Sequence, residues 1–126
     1  MELNELMLDV FNLECKFFTK TDSYRRIEQK CSNKCLTPDE RQLLNSEIHD
    51  SFERLIKTIK EACPSLTRED VIFCCLKKSG LDNLIIGHCI GNVNRQPKSQ
   101  RKYRIKKKMK EAGCDYLFDV IFSCHS

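Results

Sequence analysis

Apolar residues recur at three- and four-residue spacing along most of the chain, and alternating apolar and polar runs are scarce. That is the helical period, so the chain is expected to be all-α. Leu3, Leu6, Met7, Val10, Phe11, Leu13, Phe17 and Phe18 predict a helix over residues 1–20 with one broad apolar face. Thr21-Asp22-Ser23 supplies a break and a cap, Tyr24–Lys30 predicts a short second helix, and Cys31–Leu36 a polar loop. Thr37-Pro38-Asp39-Glu40 is a start signal: a capping threonine, a proline suited to the first turn, and a glutamate that completes the capping box. Leu44, Ile48, Phe52, Leu55, Ile56 and Ile59 then keep the period, which predicts one helix to about Glu61, ended by Pro64.

The second half repeats this logic in shorter pieces. Thr67, with Asp70 closing the box, predicts a largely buried helix to about Lys78, stopped by Ser79-Gly80. Asp82 or Asn83 caps a short helix through Ile90, Gly91 stops it, and residues 92–96 form a turn. Pro97 opens a further helix and Gly113 closes it. Asp115–Ser123 is a last helix, with Leu117, Val120 and Ile121 inward. A short helix, a tight turn and a following basic helix form the arrangement that sets a recognition helix in the DNA major groove. The expected organisation is an amphipathic helical extension over residues 1–62, serving dimerisation or as a joint to a sensory domain, and a helix-turn-helix module over residues 63–126.

Charge sharpens this picture. Between Arg95 and Lys110 stand nine basic residues and no acid. The whole chain of 126 residues carries only +4, so the remainder carries −5. A mildly acidic body with one concentrated cationic element points to a polyanion partner. On the wheel of that helix Ile105 and Met109 face the core, and Arg101, Lys102 and Lys98 project near the same side. The opposite face carries Gln96, Ser99, Gln100, Tyr103, Lys106, Lys107 and Lys110. Gln96, Ser99, Gln100 and Tyr103 are the candidates for base edges. Arg95, Lys102, Arg104, Lys106, Lys107 and Lys110 are the candidates for phosphates.

Other chemistries find little support. Nine cysteines are an odd number for a closed disulfide framework, and most fall at apolar helix positions where a thiol packs as a small hydrophobe. Cys31-x3-Cys35 is the one ligand-like spacing, and His49, His88 and His125 are scattered, so no metal and no cofactor are expected. No phosphate loop, nucleophile elbow or supported carboxylate pair is present, which argues against an enzyme. The N-terminus lacks the basic, continuously apolar character of a signal peptide, and no apolar run approaches the ~18 residues of a membrane span. A cytoplasmic protein without membrane attachment is expected.

The segments Cys63-Pro-Ser-Leu-Thr-Arg-Glu-Asp-Val-Ile-Phe-Cys, Ser79-Gly80, Ile86-Gly87-His88-Cys89-Ile90 and Tyr103-Arg104-Ile105-Lys106-Lys107-Lys108-Met109 together resemble the LuxR-type helix-turn-helix in its Bacteroidetes form, found at the C-terminus of longer transcriptional regulators. The resemblance covers about residues 21–124. It implies duplex DNA binding and transcriptional regulation. Gly87 stands where that family has a small alanine, Leu84 and Ile85 where it is polar, and the turn is about two residues longer. Those apolar positions keep a second reading open: a helical interaction adaptor that has lost specific DNA binding and docks a protein. A homodimer or a sensory domain of a longer regulator chain is a further expected partner.

Overall fold

The structure is a computed structural model that describes residues 3–90 and 98–122, with side chains described for residues 5–90 and 100–122. The starts of four helices are fixed by side-chain caps in the residues just before them. Among the described residues the elements are α1 (Leu3–Phe18), α2 (Asp22–Lys30), α3 (Pro38–Ser51), α4 (Glu53–Ala62), α5 (Arg68–Lys78), α6 (Asn83–Ile90), α7 (Lys98–Glu111) and α8 (Asp115–Phe122), with no strand. The fold is all-α.

The Thr21 hydroxyl accepts from the Tyr24 N–H at 3.2 Å and opens α2. Thr37 and Glu40 form a reciprocal capping box at 3.2 and 2.9 Å ahead of α3, as do Thr67 and Asp70 at 3.1 and 3.2 Å ahead of α5. Asp82 accepts from the Ile85 N–H at 2.9 Å and starts α6. Gly80 (φ +91°) and Gly113 (φ +77°) take the left-handed conformation that stops α5 and α7. After Gly113 the chain closes a Schellman pair, with Cys114 N–H on the Met109 carbonyl at 2.8 Å and Gly113 N–H on Lys110 at 3.1 Å. Thr37→Ala is expected to remove about 1 kcal/mol of stability, read as a lower urea midpoint. An unchanged midpoint would mean that the box does not hold the start of α3.

The single helix expected from Pro38 to about Glu61 is instead two. The chain breaks at Phe52 (φ −109°, ψ 42°), which has no side-chain cap of its own. The cap comes from α1. The Glu14 carboxylate accepts from the backbone N–H groups of Arg54 at 2.8 Å and Leu55 at 3.0 Å, two of the unpaired donors that any helix start leaves. Glu47 of α3 does the same for α2, accepting from the Ser23 N–H at 3.0 Å. The break lets Phe52 turn fully inward against Phe18, with ring centroids 5.5 Å apart.

One cluster of buried residues runs from Phe11 in α1 to Phe122 in α8. α1 packs on α3 and α4, α2 on α3, and α5 lies between α4, α6 and α8, with Val71–Leu76 all buried. α8 turns Leu117, Phe118, Ile121 and Phe122 inward, while Val120, expected inside, is only half-buried. The Lys78 ammonium lies buried and donates to the Val120 carbonyl at 3.3 Å, near the negative end of α8.

The described cysteines are all free thiols. Six of them, Cys31, Cys63, Cys74, Cys75, Cys89 and Cys114, are buried. Burial pushes the thiols of Cys74, Cys75 and Cys89 well above their ordinary range, so they pack as hydrophobes rather than as thiolates. Cys31 is buried and Cys35 exposed, and among the described residues no three His, Cys, Asp or Glu side chains converge as a metal site. Nor, among them, is any helix long and apolar enough to cross a membrane.

Candidate nucleic-acid interface

α7 is held against the body by its own charges. Ile105 and Met109 are fully buried, as the wheel requires, and Arg101 follows them one turn earlier at 8% exposure. Its guanidinium donates to Asp70 at 2.7 Å and to Glu69 at 3.1 Å, and lies 5.9 Å from the Phe73 ring centroid. Arg104 donates to the same Asp70 oxygen at 2.9 Å. Asp70 is completely buried. Burial pushes its carboxyl up, but the hydrogen bonds from Thr67 and Arg104 outweigh that and hold it below the usual carboxylate range. One carboxylate therefore closes the cap of α5 with one oxygen and binds two arginines of α7 with the other. Lower on the helix, Lys108 donates to the Ser65 carbonyl at 3.1 Å.

The cations of α7 therefore divide. Arg101 serves the anchor and has left the surface. Arg104, expected on phosphate, is half-buried with its guanidinium on Asp70, because a buried carboxylate at hydrogen-bond distance outcompetes solvent. Gln100, Tyr103, Lys107 and Lys110 are exposed and, three and four residues apart, form one stripe; Tyr103 reaches 71% exposure. Lys102 and Lys106 flank the stripe toward α8. Their ammonium groups lie 5.6 Å from the Phe122 ring centroid and 5.4 Å from that of Phe118, so the aliphatic stems cover aromatic surface while the charge stays outside. Lys102, Tyr103, Lys106 and Phe118 line an open depression of about 280 Å³. A second, of about 300 Å³, continues past Lys102 to Lys77, Gly80 and Asp82. The arrangement offers a cationic ridge with one projecting aromatic ring, able to hold phosphates and to stack on or hydrogen-bond a base.

Of the expected site residues, Arg95 and Gln96 lie outside the described residues, as do the turn at 92–96, Gly91 and Pro97; Ser99 lies in α7 but its side chain is not described. The sequence reading missed Asp70 as the anchor and Phe118 and Phe122 as partners of the lysines. The second had a signal: Lys102 and Lys106 are four apart on α7, and Phe118 and Phe122 four apart on α8. Leu84, read as added apolar surface, is 52% exposed, and Ile85 is half-buried.

No known protein family, no curated protein and no solved structure matches this chain.

Proposed function

We propose that this chain is a DNA-binding transcriptional regulator that reads duplex DNA with α7, in the manner of the LuxR-type module it resembles. The observation that carries the reading is the sorting of charge on α7. Arg101 and Arg104 lock the helix to Asp70, and Lys102, Lys106, Lys107 and Lys110 are left exposed with Gln100 and Tyr103. A recognition helix needs both properties, rigidity of the backbone and free cations on one side. Lys102, Lys106, Lys107 and Lys110 take phosphates, Gln100 and Tyr103 approach base edges, and Arg104 divides between Asp70 and a phosphate. The chain acts as a binding module and not as an enzyme, as a dimer or as part of a longer regulator.

The test is fluorescence anisotropy with a pool of random duplexes, starting at about 50 mM salt. Binding is expected, falling steeply with salt. Lys107→Ala, which removes an exposed cation, should weaken all sequences alike and reduce the salt slope by about 1. Gln100→Ala should instead relax discrimination, by about 1–3 kcal/mol if the contact is bidentate. A folded protein without affinity for any duplex at that salt sinks the proposal, and the interaction adaptor, with exposed Leu84 as its contact, takes its place.

A further inference from the structure

α1 carries two apolar faces, and only one is used. Phe11 and Phe18 are buried in the body, with Met7 and Cys15 packed beside them. Leu6, Val10, Leu13 and Phe17 point away from it at 57%, 38%, 52% and 58% exposure. These four are half of the eight large hydrophobics exposed among the described residues, and they fall in steps of four, three and four. That is the a/d spacing of a helix pair. Glu14, whose sequence position would put a charge beside the stripe, is turned inward as the cap of α4.

The charges around the stripe are segregated by half. Glu5 and Asp9 are exposed in the N-terminal half, Lys16 and Lys20 at the C-terminal end. Asp9 and Lys16 are seven residues apart, so both occupy the same flanking position of the heptad. Placed antiparallel on a second α1, Val10 meets Leu13 of the other copy, Leu6 meets Phe17, and Asp9 falls beside Lys16, twice by symmetry. The helix dipoles oppose as well. A parallel pairing would bring like charges together at both ends. A self-complementary surface of this kind needs no other protein to explain it.

We propose that this face is a homodimer interface, formed by antiparallel pairing of α1 with α1 of a second copy. The inference is independent of DNA binding and is tested without it. The face spans about 17 Å of helix, so a modest affinity is expected, with Kd about 1–50 µM.

Sedimentation equilibrium of the full chain at about 100 µM should show a dimer. Leu13→Glu should weaken it at least about 100-fold, since symmetry counts the substitution twice. Its helical circular dichroism and Tm should be retained, because Leu13 is half outside. The orientation is read from charge. Asp9→Lys and Lys16→Asp should each weaken self-association, while an equimolar mixture of the two variants should form heterodimers and the double variant should dimerise again. A chain monomeric at about 500 µM, a dimer indifferent to Leu13→Glu, or charge variants that do not prefer each other would overturn the proposal; a monomer would assign the face to another domain or protein.

Discussion

Asp70→Ala is expected to destabilise the protein by about 3–5 kcal/mol, the usual consequence of removing one partner from a buried charged cluster. The alanine takes away the capping acceptor of Thr67 and leaves Arg101 and Arg104 facing a cavity. Glu69 offers little compensation, because its side chain is 56% exposed and solvent screens the pair. Against a total of about 5–15 kcal/mol for a domain of this size, the variant should be partly unfolded at 37 °C. Urea denaturation measures the loss, and a midpoint within about 0.5 kcal/mol of the parent would show that the cluster contributes nothing net. The double variant Asp70→Ala/Arg101→Leu should recover part of it, because an uncompensated buried charge has then gone too.

The same carboxylate makes stability depend on pH. Its folded pKa is depressed, so its contribution is complete above the ordinary carboxylate value of about 3.9. It is lost as pH falls through and below that value toward the folded pKa. Acid titration of the parent and of Asp70→Asn should diverge above about pH 4 and converge below it.

The helices themselves were legible because their signals are local. The boxes at Thr37 and Thr67, the Asp82 cap and the stops at Gly80 and Gly113 each lie within a few residues of the boundary they set. What escaped was decided by residues far apart in sequence. The break at Phe52 leaves the apolar period intact: Leu44, Ile48, Phe52, Leu55, Ile56 and Ile59 are all buried on both sides of it. The helix that restarts after it is capped by Glu14, 40 residues upstream of Arg54. Likewise Arg101 and Arg104 looked like the rest of a basic helix until Asp70, 31 and 34 residues away, claimed them. The wheel did place Arg101 near the core side, but a wheel supplies no acceptor.

The two apolar faces of α1 show the same limit. The apolar side chains crowded into this helix read as one broad face, since a wheel cannot tell which arc meets the body. Glu14 makes that choice. Rotating α1 by about 100°, one residue on the wheel, would exchange buried Phe11 and Phe18 for the outward stripe with little change in apolar area. It would also strip α4 of its cap. A charged residue thus selects one packing of a helix that hydrophobicity alone leaves degenerate.

Glu14→Ala is accordingly expected to cost about 2–4 kcal/mol, from two charge-assisted hydrogen bonds and the interaction of a carboxylate with the start of α4. Glu14→Gln keeps one acceptor oxygen and loses the charge, so about half that loss is expected. Both are read by urea denaturation at neutral pH. Hydrogen exchange gives the more specific signature: the amides of Arg54 and Leu55, protected in the parent by Glu14, should open in Glu14→Ala while those in the middle of α5 exchange only through global unfolding. If alanine costs less than about 1 kcal/mol and those two amides stay protected, the cap is not what holds α1. With α1 released from its one fixed orientation, the outward stripe should also lose definition, so Glu14→Ala should weaken self-association even though residue 14 lies on the body side of the helix. Dimerisation left intact in a variant whose two amides are open would separate the interface from the cap.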